Sequence, residues 1–284
     1  MADDFQLFSS LRYDPALALV SSSGPNHAAW NRANASPLYM LDYHRDRMLR
    51  AATHWGWGAA IEVLKGDAGL ERLATFIMSS IDDDQKAPLK VRISITREGQ
   101  LGINAGPVPE TPLANLFPEK LPCPGRVPSH EQTGNIPLKT PEYEVVVDDQ
   151  GTSRSEHTHF KTTWRAAYDG ARQRAQISLP DKKEVLLING ADGAVMEGSV
   201  TTVYLWRDGR WVTPAVSREY NPGKGSGGQD GTTRRWALEK GLAVEDTVLA
   251  GSLADGEECW LSNGARGFFF GRVKMSQCPV AAMD

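Results

Sequence analysis

The sequence is poor in three features, and each scarcity argues against a class of protein. Its 284 residues contain only three cysteines, Cys123, Cys259 and Cys278, which are far apart and form no CxxC pair. We therefore expect neither a disulfide framework nor a cysteine-based zinc site. We expect a reduced, cytoplasmic protein instead. The longest apolar runs, such as residues 185–188, are too short to span a bilayer. Positive charge is not in excess either: the net charge is −4 and the pI about 5.9.

The same features exclude several classes of binding partner. Because the chain is acidic, we do not expect nucleic acid to be its main partner. We also expect no membrane association. The first ten residues, MADDFQLFSS, are acidic and lack an apolar core, so we expect neither a signal peptide nor a transit peptide there. We also expect no metal. A small-molecule substrate is the remaining class of partner.

The residues that are present describe an ordinary globular protein with mixed secondary structure. The chain is 40% hydrophobic and 23% charged, and its length suits one large domain or two ordinary ones. Apolar periodicity predicts helices over residues 37–52, 68–81, 161–175 and 232–241, the last with Gly241 at its C-terminus. Alternating or apolar runs predict a hairpin over 91–106 and strands at 142–149, 184–188, 194–206, 211–214, 258–262 and 268–273.

A proline-rich stretch divides the chain. Residues 106–142 contain about half of the 17 prolines, which predicts an extended connector. We place an N-terminal domain at 1–115, the connector at 116–141 and a C-terminal domain at 142–284. The predicted fold class is α+β, with antiparallel sheets in both halves.

The stretch NPGKGSGGQDGTTRR, residues 221–235, contains five glycines before a predicted helix. Gly223, Gly225 and Gly228 satisfy G-x-G-x-x-G, but the nearest predicted strand ends at residue 214 and its neighbours are predicted hairpins, so a dinucleotide site is not expected. A Walker A loop fails because Gly225 follows Lys224. The end of the stretch is more informative, because a glycine and two hydroxyl residues at a helix N-terminus favour an anion. We expect the preceding glycines to make a mobile loop.

Four segments taken together carry a family resemblance: LDYHRDRM (41–48), HFKTT (159–163), MEGSVTTVY (196–204) and GTTRR (231–235). Their order and spacing resemble the class IV aminotransferases, which are pyridoxal-phosphate enzymes of fold type IV. Branched-chain and D-amino-acid aminotransferases and 4-amino-4-deoxychorismate lyase belong to that family. The resemblance runs from about residue 38 to 275. The KTT segment and WLSNGARG (260–267) are most similar to the fungal type of the lyase.

The resemblance implies a two-domain, D-amino-acid-aminotransferase-like fold with pyridoxal 5′-phosphate between the domains, in a homodimer. It implies that Lys161 forms the covalent bond to the cofactor and moves the substrate proton, and that Glu197 pairs with the pyridine nitrogen. The residues implied for the phosphate are Arg47, Gly231, Thr232, Thr233 and, through its backbone N–H, Gly264. Two positions depart from the pattern of the family: Thr202 stands where relatives often carry asparagine, and Gln229 replaces an apolar residue expected against the cofactor ring.

The implied activity is a lyase that converts 4-amino-4-deoxychorismate to 4-aminobenzoate, a folate precursor, and pyruvate, by abstraction of the α-proton and β-elimination. The alternative is an aminotransferase acting on D-amino acids or (R)-amines with a keto acid. A binding protein that keeps the fold is a third class, against which Lys161 and Glu197 argue. For the substrate carboxylates the candidates are Arg165 and Arg266, with Arg12 and Arg97 as further possibilities.

Overall fold

A computed structural model of the chain describes residues 5–19, 29–126, 135–178 and 181–275. Its strands form two sheets, one from each side of the proline-rich stretch. The helices are α1 (Ala29–Ala33), α2 (Leu41–His54), α3 (Gly58–Leu64), α4 (Gly66–Met78), α5 (Leu113–Leu116), α6 (Glu156–His159), α7 (Ala166–Arg174) and α8 (Thr232–Glu239). The strands are β1 (Leu7–Tyr13), β2 (Leu89–Ile95), β3 (Leu101–Pro107), β4 (Tyr143–Thr152), β5 (Lys183–Asn189), β6 (Val195–Gly198), β7 (Thr202–Arg207), β8 (Arg210–Pro214), β9 (Val244–Asp246), β10 (Glu258–Asn263) and β11 (Gly267–Lys274).

The first sheet is antiparallel, in the order β1-β2-β3, and the hairpin predicted over 91–106 is its β2-β3 pair. The alternation in β2 assigns its faces: Val91, Ile93 and Ile95 are fully buried in the core, whereas Lys90 and Arg92 lie on the opposite face. Strand β1 was not predicted from the sequence. Because nearly all of its residues are buried, it lacks the alternation that identified β2.

The second sheet has eight strands in the order β6-β5-β4-β11-β10-β7-β8-β9. The prediction of purely antiparallel sheets is wrong for this sheet, because β4 pairs in parallel with β5 and β11, and β8 pairs in parallel with β9. Helix α7 lies between β4 and β5 along the chain, and α8 lies between β8 and β9. The glycine-rich stretch therefore does lie within a parallel crossover, which the sequence did not reveal because β9 is only three residues long and largely exposed.

Two predicted elements have different limits in the structure. The strand predicted over 194–206 is divided into β6 and β7, because residues 199–201 turn around the buried carboxylate of Glu184 and hydrogen-bond to it instead. The helix predicted over 161–175 begins only at Ala166, so Lys161 lies in the extended segment before it. The helical spacing also placed Trp164 and Tyr168 together on the buried side of that helix, but Trp164 is 48% exposed.

Helix α2 packs against both halves of the fold. Leu41, Met48 and Ala52 join the core beneath the first sheet, whereas Tyr43 packs with Trp236 of α8 against the second sheet. Part of the predicted connector, residues 127–134, lies outside the described residues, and the domain limits stay a prediction. Within the described residues, no helix combines the length and apolar character needed to cross a membrane.

Candidate active site

A cavity of about 410 Å³ is lined by residues of both sheets. Phe8 and Ser10 of β1 and Lys90 and Arg92 of β2 line it from the first sheet. From the second sheet the lining comes from the region around β6, β7 and β10. All residues that the sequence singled out for the cofactor, and two of the four candidate arginines for the substrate, line this one cavity: Arg47, Lys161, Arg165, Glu197, Gly231, Thr232, Thr233, Gly264 and Arg266.

Backbone pairing with the first sheet positions Lys161. The Phe8 N–H donates to the Lys161 carbonyl at 3.1 Å, and the Thr163 N–H donates to the Gln6 carbonyl at 2.9 Å. Residues 161–163 thus extend the edge of β1. The short helix α6 just before them is stabilised by a reciprocal capping box between Ser155 and Thr158. Lys161 is therefore held between a capped helix and a strand edge, with its side chain in the cavity wall.

The surroundings of Lys161 favour its neutral amine. Burial lowers the pKa of Lys161 well below its ordinary value, and the positive charges of Arg47 and Arg165 lower it further. The amine donates to Oε1 of Gln229 at 3.3 Å and lies 5.1 Å from the ring centroid of Phe8. A neutral lysine amine is a nucleophile and a base, which is the chemistry a covalent attachment site requires.

Glu197 stands on β6 and is 9% exposed. Its Oε1 accepts hydrogen bonds from the Tyr168 hydroxyl at 2.6 Å and from the Gln229 N–H at 3.2 Å. Burial raises the pKa of Glu197, although the hydrogen bond from Tyr168 offsets part of this effect. Oε2 has no hydrogen-bond partner among the described residues, so this oxygen is available to a ligand.

Gln229 connects the lysine and the glutamate. Its side-chain oxygen accepts from Lys161, its amide donates to the Tyr168 hydroxyl at 2.9 Å, and its backbone N–H donates to Glu197. Gln229 is 5% exposed and lines the cavity, as expected for a residue packed against a ring bound there. Tyr168 was not singled out from the sequence as a site residue, because its helical spacing marked it only as a core position.

The N-terminus of α8 also lines the cavity. Gly231 is the N-cap of this helix and supplies no side-chain cap, so the N–H groups of its first turn are free for an anion. Thr232 and Thr233 are 3% and 1% exposed, and the Thr233 hydroxyl hydrogen-bonds to that of Ser262 at 2.8 Å. A Cβ at position 231 would lie 2.8 Å from the Thr202 hydroxyl, so a glycine is needed at this close approach.

Arg47 lines the same cavity and is incompletely paired. Its NH2 group donates to the Ser9 hydroxyl at 2.5 Å, but its Nε, which is buried, has no hydrogen-bond partner among the described residues. Burial lowers the pKa of Arg47 to about 10. Ser9 also hydrogen-bonds to Nδ1 of the fully buried His44 at 2.7 Å. The missing side chain of Gly264 leaves room for that imidazole, since a Cβ there would lie 2.5 Å from its Cε1 atom.

The glycine-rich stretch does not have the expected character along its second half. Ser226 and Gln229 are buried, Ser226 N–H donates to the Ala215 carbonyl at 2.7 Å, and the Gly225 carbonyl accepts from Arg154 at 2.9 Å. A Cβ at Gly228 would lie 2.7 Å from the Met196 carbonyl oxygen. This packing counts against the expectation of a loop that moves over the cavity, and indicates that the glycines permit close approach to β6 instead.

Two of the four candidate arginines for a substrate carboxylate do not line the cavity. Arg12 is fully buried, bonded to Asp14 at 2.7 Å and to the Pro109 carbonyl at 2.9 Å, and Arg97 is exposed in the β2-β3 turn. Arg165 and Arg266 do line it. Sequence reasoning missed four further cations in the lining, Lys90, Arg92, Arg172 and Lys183. The alternation of β2 was a usable signal for the first two, because it places them together on the face opposite the core.

Comparison with known proteins identifies the family of the chain. The model of the amino-transferase class IV family matches residues 29–272. A curated aminodeoxychorismate lyase from Saccharomyces cerevisiae is 30% identical over 197 residues, which are 65% of this chain and 51% of that protein. The chain thus spans about half the length of this relative.

Solved structures share the fold. The branched-chain amino acid aminotransferase from Escherichia coli has a TM-score of 0.58 at 15% identity, covering 96% of this chain and 77% of that one. A fold IV transaminase from Curtobacterium pusillum has a TM-score of 0.57 at 17% identity, covering 98% and 82%. Because the family model extends over most of the sequence, the chain belongs to the class IV aminotransferase family and has fold type IV.

Proposed function

We propose that this chain is a pyridoxal-phosphate-dependent lyase that converts 4-amino-4-deoxychorismate to 4-aminobenzoate and pyruvate. The observation that carries the proposal is the arrangement in one cavity of Lys161, Glu197 and the α8 N-terminus with Arg47. The 30% identity to the yeast lyase supports the choice of reaction within the family.

The residues present suit three groups of the cofactor: its phosphate, its pyridine nitrogen and its aldehyde. At one end, the unpaired Nε of Arg47 and the uncapped N–H groups of α8 offer donors to a phosphate dianion. At the other end, Oε2 of Glu197 is an acceptor without a partner among the described residues, which suits a protonated pyridine nitrogen. Between them, the neutral amine of Lys161 suits covalent attachment to an aldehyde. When bound, pyridoxal phosphate would act as an electron sink for the carbon that loses its proton.

Each side chain of the site has a separate role in the proposed reaction. With the cofactor bound, Lys161 would be the base that takes the proton from the amine-bearing carbon. Glu197, oriented by Tyr168 and Gln229, keeps the pyridine nitrogen protonated. Arg47 and α8 fix the phosphate, so the reacting carbon stays within reach of Lys161.

The reaction balances without an oxidant or a second substrate. The C–H bond at the amine-bearing carbon and the neighbouring C–O bond break, and a ring double bond forms. The enolpyruvyl group leaves and takes up a proton to give pyruvate, and the ring becomes aromatic. Formation of the aromatic ring provides the driving force for elimination.

The test begins with the cofactor. Purified protein should be yellow with pyridoxal phosphate, and borohydride should bleach it and fix the cofactor on Lys161 in a peptide map. Lys161→Ala is the matched control and should show no covalent adduct. A wild-type protein without modified Lys161 would overturn the cofactor assignment.

A second assay separates the lyase from the aminotransferase alternative, which uses the same residues. The protein is incubated with 4-amino-4-deoxychorismate, and separately with D-alanine and a keto acid. We expect 4-aminobenzoate in the first incubation. Amino transfer in the second without 4-aminobenzoate in the first would replace the lyase with the aminotransferase.

We also propose that the protein is a homodimer, as its family resemblance implies. Static light scattering should then give a mass of twice the 31.1 kDa of the chain. A mass of one chain would contradict the proposal.

A further inference from the structure

The lining of the cavity has a charge opposite to that of the whole chain. Of the described residues, eight basic and three acidic side chains line it, although the chain has a net charge of −4. Arg47 and Lys161 serve the proposed cofactor, and Lys183 pairs with Glu144 at 3.2 Å. Five cations remain, which we call the basic cluster: Lys90, Arg92, Arg165, Arg172 and Arg266.

Among the described residues, no acidic side chain of the lining forms an ion pair with this cluster. Glu184 accepts from the backbone and hydroxyl of Ser199 and from the hydroxyl of Thr201, and Glu197 is engaged by Tyr168. Asp181 is an exposed residue at the edge. Among the residues that the structure describes, the cluster forms one ion pair, which joins Arg165 to Asp169 at 3.9 Å. A pair this long at the surface contributes little.

The arginines of the cluster are instead held in place by neutral groups. Arg165 donates to the Ser199 carbonyl at 2.7 Å, and Arg172 donates to the Ser199 hydroxyl at 3.0 Å. Arg266 donates to the Tyr143 hydroxyl at 3.1 Å. These contacts orient the guanidinium groups without neutralising their charge, as a preorganised anion site requires.

The first sheet presents the other members, Lys90 and Arg92, on one face of β2. Arg92 lies opposite Ser10 in the pairing of β2 with β1. Its guanidinium carbon lies 4.0 Å from the ring centroid of Phe8. Lys90 faces Gly106 on β3, where no atom lies within 4 Å of an added Cβ, so the lysine side chain has free space beside it. Burial and the repulsion of Arg266 and Arg92 lower the pKa of Lys90, which indicates that these cations act on one another.

We propose that Lys90 and Arg92, facing Arg172 across the cavity, form a carboxylate subsite that binds the part of the substrate remote from the reacting amine. The inference rests on the proposed function and specifies its substrate class: a dicarboxylate whose carboxylates are not attached to the amine-bearing carbon. An α-amino acid with an uncharged side chain has only the carboxylate that adjoins its amine, so it has no carboxylate to place there. The subsite therefore selects an aminodeoxychorismate-like substrate over simple amino acids.

The test measures binding without turnover. Chorismate has both carboxylates but a hydroxyl group where the substrate has its amine, so it cannot react with the cofactor through that position. Its dissociation constant is measured by calorimetry with the holoenzyme for wild type, Arg92→Gln, Lys90→Met and Arg97→Gln. The last is the matched control, because it removes the same charge from the exposed turn after the same strand.

We expect Arg92→Gln and Lys90→Met each to weaken chorismate binding by at least roughly tenfold, the effect of losing one charge-assisted hydrogen bond. In turnover of 4-amino-4-deoxychorismate the KM should rise by a similar factor, while kcat changes little. Arg97→Gln should match the wild type. Because Lys90 lies on the face of β2 opposite the core and has free space beside it, Lys90→Met tests the subsite even if Arg92→Gln folds poorly.

The outcomes separate this inference from the proposed function. If wild type forms 4-aminobenzoate but both cavity variants bind chorismate and turn over like Arg97→Gln, the subsite is wrong and the lyase stands. If wild type does not bind chorismate, the subsite is likewise wrong. If chorismate binding depends on Arg92 and Lys90 but no 4-aminobenzoate forms, the subsite stands and the lyase fails.

Discussion

Adding one methyl group at Gly264 should weaken both the fold and the grip on the cofactor. The new Cβ would lie 2.5 Å from Cε1 of His44, 2.8 Å from Nε2 of the same ring and 2.7 Å from the Ser10 carbonyl oxygen. The carbonyl belongs to the paired strand β1 and cannot yield easily, so the imidazole must move. That ring is fully buried and is hydrogen-bonded to Ser9, which in turn accepts from Arg47.

The magnitude follows from overpacking and the lost contact. Inserting a methyl group into a packed interior costs about 1–3 kcal/mol, and with three atoms closer than 3 Å we expect about 3 kcal/mol. For a chain of this size that corresponds to a melting temperature lower by roughly 5–10 °C. Displacing Ser9 loosens a charge-assisted hydrogen bond of Arg47, which should weaken pyridoxal phosphate binding by at least about tenfold.

The assay is thermal unfolding of the apoprotein together with absorbance titration of the cofactor. Gly58→Ala is the matched control, because Gly58 begins α3 and no atom lies within 4 Å of an added Cβ. It should be neutral or slightly stabilising. Since Gly264→Ala keeps the backbone N–H, any loss of affinity comes from packing. A Gly264→Ala variant with the melting temperature and cofactor affinity of the control would refute this reasoning.

Three further changes test other parts of the site. Arg47→Lys keeps the charge but loses the planar donors and should weaken pyridoxal phosphate binding at least about tenfold in the same titration, and unchanged affinity would remove Arg47 from the phosphate site. Burial raises the pKa of Glu197 to about 7 from its ordinary 4.5, so the folded apoprotein retains a proton that the unfolded chain releases. Urea denaturation should therefore show the stability of wild type relative to Glu197→Gln falling as the pH rises from about 4.5 to about 7, and a constant difference would contradict the shift. Glu184→Gln presents an amide to the donors of Ser199 and Thr201 and should cost about 2–3 kcal/mol in urea, so an unchanged midpoint would show that this carboxylate does not order residues 199–201.

The site residues were predictable where a local motif carries their chemistry. The Gly231-Thr232-Thr233 turn could be assigned because a helix N-terminus is an anion site by its own backbone geometry. Lys161 and Glu197 followed from segments similar to a known family. The residues that complete the site were not predictable in this way: Ser9 and Tyr168 act through neighbours 38 and 29 residues away in sequence, and no local pattern encodes those pairs.

The pairing of strands shows the same limit. Alternation identified β2 and β3 because one face of each is buried and the other is not. It could not identify β1, which is buried on both faces, or the parallel pairing of β8 with β9. The choice between parallel and antiparallel neighbours depends on where the crossover helices pack, which is a property of the whole fold.

By itself, the sequence determined the family, the mixture of helix and strand, and the residues that bear the cofactor chemistry. Each of these can be recognised from short segments without knowledge of the tertiary contacts. Only the tertiary structure decided which cations share the cavity. Lys90 and Arg92 stand far from Lys161 and Arg172 along the chain, and the packing of the first sheet against the second brings them together. It also separated Arg12 and Arg97 from the site, since burial beside Asp14 or exposure in a turn depends on contacts that no single segment contains.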